Sequence, residues 1–304
     1  MKTSILMSVY NGKAFLSEQL YSIKNQSIQV DEVICIDDCS TDNSVEIIKR
    51  FIETHKLNDR WKIIENTANK GWKKNFIDGI VYTSGDIVFF ADQDDVWLPQ
   101  KIEEYVKVFR DPSVNVVISP YIEWYGENID LPSIKDKYIK LRMEGKYENF
   151  NITGSGCTQA LRKEYYKNIK KYYVDGMAHD DFFRKISQID GSLAVMQSAS
   201  ILRRFHGNNE SKRRRTFNSS INDYMVGVKF IDKLYQYMEE SNNLEAKDEN
   251  DILLRKLRRG YLSRYKFFKT KNILYLFKTI FLNPEQYTRL RQIVGDIILV
   301  YYCK

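Results

Sequence analysis

Along the first 120 residues, short runs rich in β-branched and aromatic residues alternate with stretches whose apolar positions fall three and four apart. The runs at 3–9, 32–37, 61–65, 87–91 and 115–119 predict strands. After the first of them, Ala14, Leu16, Leu20 and Ile23 lie near helical spacing, and Val45, Ile48, Phe51 and Ile52 do so after the second. Strands alternating with amphipathic helices build βαβ units, so the pattern predicts an α/β domain on a mostly parallel sheet. From 120 to 160 the periodicity fails, with Pro120, Gly126, Pro132 and Gly145, and then Gly154-Ser155-Gly156-Cys157, where glycines let the backbone approach a ligand. A helix carrying His179-Asp180-Asp181-Phe182-Phe183, a strand at 193–197 and the segment Arg203 to Asn209 follow, and beyond 217 the pattern is helical throughout.

In an open α/β sheet, ligands gather at the carboxyl ends of the strands. Three polar clusters fall there: Tyr10-Asn11-Gly12, Asp37-Asp38-Cys39-Ser40-Thr41-Asp42, and Asp92-Gln93-Asp94-Asp95. The last follows an apolar run, and an Asp cluster is too costly to bury unless its charges are paired or bind a metal, so it belongs at the strand exit. Carboxylates packed this closely are hard oxygen donors suited to Mg2+ or Mn2+, ions that commonly hold substrate phosphates. A solvated turn is the other reading of the same residues, since Asp is common in turns.

At 304 residues, 43% hydrophobic and 13% aromatic, the chain can bury one large core or two modest ones, which excludes a disordered tail. The net charge of +7 admits nucleic acid, a membrane or an anionic substrate without choosing among them. Cys35, Cys39, Cys157 and Cys303 show no paired metal-ligand spacing and read as reduced thiols of a cytosolic protein. The N-terminus passes from Lys2 straight into a strand-like run, so no export signal is expected. Lys278 and Asp296 interrupt the two most apolar stretches, which leaves no membrane-spanning segment.

Ser8-Val9-Tyr10-Asn11-Gly12, Asp37 to Asp42, Asn69-Lys70-Gly71, Ser84-Gly85-Asp86 and Ala91-Asp92-Gln93-Asp94-Asp95 occur in an order and at intervals by which residues 1 to about 210 resemble a family 2 glycosyltransferase. The ordered set carries the resemblance, each piece alone being weak. It implies a GT-A fold with a mostly parallel central sheet, a nucleotide-diphosphate sugar donor, a divalent Mn2+ or Mg2+, and inversion at the anomeric carbon. It also implies donor contacts from Val9, Tyr10, Asn11, Asp38, Lys70, Asp92, Asp95 and Arg204, with the nucleotide base against Val9, Tyr10 and Asp38. Asp38 reads equally as the N-terminal cap of the following helix. Asp92 and Asp94 match the two acids of the D-x-D motif, Asp94 as the direct metal ligand.

Inversion in one displacement needs a base for the acceptor hydroxyl. By resemblance that base is Asp180, second of a His179-Asp180 pair where the family usually has Glu-Asp; the departure leaves Asp181 as the alternative, and an N-terminal cap by either acid remains open. Arg204-Phe205-His206-Gly207-Asn208-Asn209 resembles the R-x-H-G-x-N element of bacterial rhamnosyltransferase-like members, which implies His206 at the metal or diphosphate; a packed, hydrogen-bonded histidine is the other reading. Gly154, Ser155, Gly156, Cys157 and Asp181 are expected at the acceptor, or the glycines simply make a tight turn.

Between Asp251 and Glu285 there is no acid, while nine Lys or Arg are interleaved with Leu, Tyr, Phe and Ile. Basic residues with aromatics are the footprint of a nucleic-acid groove. The helical spacing of Leu253, Leu257, Tyr261, Tyr265 and Phe268 fits instead a packed helix with a solvated basic face, or an interfacial helix on an anionic membrane. A homo-oligomeric contact through Ile221, Met225, Val228, Ile231 and Leu234 is a further reading. The expectation is a catalytic domain over 1–215 and a helical extension over 216–304. Its function would be transfer from dTDP-rhamnose or a UDP-hexose to a glycan or polyprenyl-diphosphate-linked acceptor, in bacterial O-antigen or capsule synthesis, peripheral at the inner face of the cell membrane. The rivals are a nucleotidyltransferase, whose basic Gly-rich phosphate loop Ser8 to Gly12 does not supply, and a non-catalytic basic protein that binds nucleic acid or membrane.

Overall fold

The computed structural model describes residues 1–302 apart from 128, 136, 153, 208–214, 242–244, 246, 285–286 and 288–289. Asn208 and Asn209 of the R-x-H-G-x-N element, and Cys303, lie outside the described residues. The chain forms two compact units, one of Met1–Arg142, Thr153–Lys170 and Ala178–Gly207, the other of Met143–Ile152, Lys171–Met177 and Asn208–Lys304.

The first unit begins with β1 (Thr3–Val9), α1 (Leu16–Lys24), β2 (Glu32–Asp37), α2 (Ser44–Thr54), β3 (Trp61–Glu65), α3 (Trp72–Gly79) and β4 (Ile87–Ala91). β5 (Val96–Trp97), α4 (Lys101–Val108), β6 (Val116–Ile118), β7 (Ile122–Trp124) and β8 (Tyr138–Leu141) follow. The short helix α5 (Tyr147–Phe150) belongs to the second unit, after which β9 (Ala160–Arg162), α6 (Lys163–Ile169), α7 (His179–Ile189), β10 (Leu193–Met196) and β11 (Ile201–Arg204) complete the first.

The first four strands lie parallel in the order β3-β2-β1-β4. All of β4 and nearly all of β1 are buried, as expected for near-continuous apolar runs covered on both faces. α1 and α2 turn inward most of the residues whose spacing predicted them, Leu16, Leu20 and Ile23, and Ile48, Phe51 and Ile52, whereas Ala14 precedes α1 and is exposed and Val45 is half-buried. Val9 pairs with Asp37 and Met7 with Ala91, so the polar clusters after these strands leave the sheet at one edge. β9 enters antiparallel between β4 and β6, and β10 and β8 extend the sheet to eight strands in the order β3-β2-β1-β4-β9-β6-β10-β8. A separate three-stranded sheet, β5-β11-β7, returns the chain at Arg204 to the segment just after the Asp cluster.

The second unit is helical: α8 (Phe217–Glu240), α9 (Lys247–Thr270), α10 (Ile273–Leu282) and α11 (Leu290–Tyr301). A capping box between Thr216 and Ser219 starts α8, and the Asn272 side chain accepts from Leu274 N–H (2.9 Å) to start α10. Tyr224, Phe267, Phe268, Leu276 and Val300 form its core. Asp296, which interrupts an apolar run in sequence, is fully buried there and accepts from Arg264 (2.8 and 3.1 Å) and Tyr287 (2.7 Å). Among the described residues no helix is long and apolar enough to cross a membrane.

Candidate functional site

The exits of β1 and β2 are laced together. Asn11 and Cys39 hold left-handed backbone conformations (φ 50° and 65°), uncommon for residues with a side chain. Asn11 is held by its N–H donating to Ser40 Oγ (2.9 Å) and its Oδ1 accepting from Thr41 N–H (2.7 Å). Asp38 does not cap α2, whose N-cap is Asn43. Its Oδ1 accepts from Asn66 Nδ2 (2.9 Å) and Lys70 N–H (2.8 Å), and its Oδ2 from Gly71 N–H (2.8 Å), which ties down the turn that leads into α3. Asp38 is itself buried, with both carboxylate oxygens engaged by this turn. Tyr10 stays exposed beside it while Val9 is buried beneath.

At the exit of β4, Gln93 bonds both backbone groups of Tyr10 (2.8 and 2.9 Å) and so links the first and third clusters. A Cβ at Gly12 would overlap the Gln93 carboxamide, so a larger residue here would have to displace that side chain from Tyr10. Asp92 lends its carbonyl to Gln19 Nε2 (2.9 Å). His206 Nε2 lies 2.7 Å from Asp94 Oδ2, and the imidazole stacks on Phe15 at 4.6 Å. Arg204 bonds the Asp94 carbonyl (3.0 Å), donates its own N–H to Asp95 Oδ1 (3.1 Å) and pairs with Glu18. Asp95 is buried, and its Oδ2 meets no hydrogen-bond donor among the described residues.

Asp92, Asp95 and Cys157 each offer a ligand atom, all within 4.8 Å of one another. Burial, with the Asp95 and Asp94 charges, pushes the Asp92 carboxyl well above the usual range. Burial and then the Asp94 charge push Asp95 up to about 6, and burial raises the Cys157 thiol as well. Beneath them sits Lys101, fully buried, its Nζ donating to the Cys157 carbonyl (2.6 Å) and lying 3.7 Å from the Trp97 ring centroid. Burial draws its ammonium down to about 7 against the pull of Cys157, Asp95 and Asp92. Crowded carboxylates with one orphaned oxygen and raised affinities for protons are what a divalent cation would relieve. The carboxylates of Asp92 and Asp95 suit Mg2+ or Mn2+, and the thiol, a soft donor, does not; Asp94 and His206, also suitable donors, pair with each other and are not part of this group.

The other half of the site comes from α7. Its N-cap is Ala178, without a side-chain cap, so neither acid serves there as the cap. Asp180 and Asp181 fall in the first turn, where the helix dipole favours negative charge. Asp180 Oδ1 accepts from Asp181 N–H (2.9 Å). Burial, then the neighbouring Asp181 charge, push the Asp180 carboxyl up to about 6, with Arg184 opposing. For Asp181 burial also works upward, but Lys185 and Arg184 outweigh it and hold the carboxyl low, the Asp181 side chain pairing with Arg184 and lying 3.7 Å from Lys185 Nζ. His179 is buried against Phe76 (4.3 Å) and Phe90 (4.7 Å), and burial lowers it to about 3, so its ring is neutral.

The turn Gly154–Gln159 joins the two halves. A Cβ on Gly156 would lie 2.7 Å from the His179 ring and 3.7 Å from Asp180 Cβ, while the next residue, Cys157, belongs to the cluster with Asp92 and Asp95. Ser155 Oγ lies 3.0 Å from Cys157 Sγ, and Gln159 Nε2 donates to the Asp180 carbonyl (3.4 Å). Thus the structure brings Asp94 to His206, Asp92 to Asp95, and both Asp95 and Asp180 to consecutive residues of one turn. Lys70 lies outside these clusters, its Nζ 3.8 Å from Asp78. Sequence reading missed Lys101 and Gln19, and gave Gln93 no role beyond its place in the Asp92–Asp95 cluster. Lys101 carried one signal, its place at helical spacing among the apolar Leu98, Ile102 and Tyr105.

A family model described as "Glycosyl transferase family 2" matches residues 4–170. Over 114 residues the chain is 37% identical to an uncharacterized glycosyltransferase of Nostoc sp., a match covering 38% of this chain and 34% of that protein, so it spans about a third of that relative's length. Over 221 residues it is 28% identical to the dTDP-rhamnosyl transferase RfbG of Shigella flexneri, covering 67% of this chain and 73% of RfbG. Among solved structures, S. aureus TarS 1-349 in complex with UDP-GlcNAc superposes with a TM-score of 0.65 at 17% identity, over 99% of this chain and 81% of that one. At that identity the likeness is one of fold.

Proposed function

The chain belongs to glycosyl transferase family 2, a transferase with the GT-A fold, and from that premise we propose that it moves one sugar from a nucleotide-diphosphate donor to an acceptor hydroxyl with inversion at the anomeric carbon. The observation that carries this reading is the Gly154–Gln159 turn, met at Gly156 by Asp180 and at Cys157 by the Asp92 and Asp95 pair. A single inverting displacement needs a base on one side of the reacting carbon and stabilisation of the leaving group on the other.

In this reading Asp180 takes the proton of the acceptor hydroxyl. A carboxyl raised to about 6 is still ionised at neutral pH and is a stronger base than an ordinary aspartate. Asp181, engaged by Arg184 and Lys185, holds the helix terminus and faces the acceptor. Asp94 and His206, with Asp92, would hold Mn2+ or Mg2+. When bound, such an ion supplies Lewis-acid charge to the diphosphate leaving group. Val9, Tyr10, Asn11 and Asp38 receive the nucleotide, the exposed Tyr10 ring covering a base face and the buried Asp38 holding the Lys70–Gly71 turn against it. Asp95, Arg204 and Lys70 serve the donor sugar and phosphates. Gly154, Ser155 and Gly156 line the acceptor, and the buried Cys157 supports the turn from beneath.

For the donor we put dTDP-rhamnose first, on the similarity to RfbG, and a UDP-hexose second. The acceptor is a glycan or lipid-linked saccharide of a surface polysaccharide, met at the inner face of the cell membrane by a peripheral enzyme. Catalysis is assigned to residues 1–215, with 216–304 a helical extension. The test is a panel of nucleotide sugars, with and without Mn2+ or Mg2+, read as nucleotide-diphosphate release and as thermal stabilisation, since a ligand that binds only the native state raises apparent stability. One donor is expected to respond with metal and not with EDTA. A panel with no response at all would defeat the proposal.

A further inference from the structure

On α10, Leu274, Phe277 and Phe281 recur three and four apart with Lys278 among them, and they are 61%, 47% and 75% exposed. The Phe277 and Phe281 rings stack at 6.2 Å, while the inner face buries Leu276 and Thr279. α11 repeats the arrangement, with Leu290, Val294 and Ile298 exposed at four-residue spacing and Asp296 and Val300 turned inward. Scattered exposed apolar residues are ordinary; whole rows on the outer faces of helices already buried on their inner faces are not.

The charge beside α10 is one-sided. α9 and α10 frame an open cavity of about 350 Å³ whose lining includes Arg259, Ser263, Lys266, Tyr275, Lys278 and Leu282. Three other cations of α9 are already matched: Arg255 with Asp251 (2.7 Å), Arg258 with Asp232 (2.6 Å) and Arg264 with Asp296 (2.8 Å), while Lys269 lies over the Tyr265 ring. Arg259, Lys266 and Lys278 have no ion-pair partner among the described residues, and Lys266 and Lys278 flank the Tyr275 ring at 5.6 and 5.4 Å. Cations gathered along one cavity without an acid among its lining residues leave room for an anion.

The occupant has to match both the charge and the apolar row. A second copy in a symmetric contact would set this cationic face against itself. A nucleic acid would use the cations and leave Leu274, Phe277 and Phe281 idle. An anionic bilayer uses both, with phosphates at the level of Lys and Arg and with Leu and Phe at the acyl boundary. We propose that α10 and the Arg259–Lys266–Lys278 cavity form the site at which the protein docks on an anionic phospholipid surface, one lipid phosphate seated among the three cations. The inference deepens the peripheral-membrane reading above and is independent of the chemistry of transfer.

The experiment is sedimentation of the full chain with vesicles of phosphatidylcholine alone or mixed with phosphatidylglycerol, at low and high salt. Wild type is expected to partition onto the phosphatidylglycerol vesicles at low salt and to leave them as salt rises. The triple variant R259Q/K266Q/K278Q is expected to partition about a hundredfold more weakly, from about 1 kcal/mol for each cation. F277S/F281S is expected to lose binding as well, whereas R255Q/R258Q, whose charges are already matched, is expected to keep it. Circular dichroism melts establish that each variant is folded. Nucleotide-sugar hydrolysis without vesicles is expected to be the same in all of them, so docking and transfer fail on separate assays. The proposal is overturned if wild type ignores phosphatidylglycerol vesicles at low salt, or if the triple variant binds like wild type. It is also overturned if inorganic phosphate stabilises wild type and not the triple variant while vesicles have no effect, or if the phenylalanine substitutions dissolve a dimer and leave vesicle binding intact.

Discussion

Asp95, in the first unit, and Asp296, in the helical unit, are both buried aspartates, yet they share almost nothing in their surroundings. Asp296 receives Arg264 at 2.8 and 3.1 Å, Tyr287 at 2.7 Å, Tyr224 at 3.2 Å and Arg215 at 3.4 Å. Burial raises both tyrosine hydroxyls, which keeps them neutral donors. Asp95 receives one backbone N–H from Arg204 and the Cys157 thiol, keeps an orphaned Oδ2, and has Asp92 and Asp94 for neighbours. A buried charge that the protein itself completes is architecture. One left incomplete, in a cluster with perturbed proton affinities, is prepared for a ligand.

Neutralising each aspartate breaks or sharpens that contrast. Asp296→Asn leaves Arg264 buried without its counter-charge and should cost about 3–5 kcal/mol in urea unfolding. Asp95→Asn, measured in EDTA, relieves repulsion from Asp92 and Asp94 and should leave stability unchanged or raise it by about 1 kcal/mol, while donor turnover falls. Equal destabilisation by the two substitutions would erase the distinction.

Within the site the next largest effect belongs to Asp94. Asp94→Asn removes a charge from the pair with His206 and should lower transfer by about 10²-fold or more with the fold intact, and EDTA should act on wild type in the same way. If more than about a tenth of the activity survives in saturating Mn2+ or Mg2+, Asp94 is not a ligand.

Asp180→Asn should cost about 10²-fold in turnover with little change in donor affinity. Asp181→Asn should cost less, because that carboxylate is already engaged by Arg184 and Lys185. The base must be ionised to work, and burial has lifted Asp180 to about 6. Turnover should therefore be level above that pH and decline toward acid below it, by roughly tenfold per pH unit. An acidic limb near pH 4, or its persistence in Asp180→Asn, would assign the limb to another group.

The strand exits were readable in sequence because each polar cluster interrupts an apolar run, and the sheet edge then follows from βαβ geometry. The helices α1 and α2 were readable from spacing alone. β9 was not: Ala160–Arg162 is too short for any period, and only its long-range pairing with β4 and β6 makes it a strand. Lys101 was hidden by its chemistry, since a lysine is ordinarily exposed and this one is buried by the Cys157 carbonyl and the Trp97 ring, both remote in sequence or across a turn. Asp38 could be read as a cap or a base contact, but its bonds to the Lys70 and Gly71 backbone needed the fold. The outward face of α10 was likewise illegible, because apolar spacing alone does not say which face of a helix finds partners.

The smallest expected effect tests the turn that joins the two sets of acids. A methyl group on Gly156 would lie 2.7 Å from Cε1 and Nε2 of His179, a ring that is itself wedged against Phe76 and Phe90 and has little room to withdraw. Gly156→Ala should therefore cost about 1 kcal/mol of stability, at the low end for overpacking, because the turn can shift where the ring cannot. The shift should appear as a raised acceptor KM with donor hydrolysis nearly unchanged. Replacing the ring in the double variant Gly156→Ala/His179→Ser should recover part of the acceptor KM, the signature of two residues coupled through one contact. If Gly156→Ala alone leaves both stability and acceptor KM at wild-type values, the turn is not pinned by His179, and the link between Asp180 and the Asp92–Asp95 pair has to run through other residues.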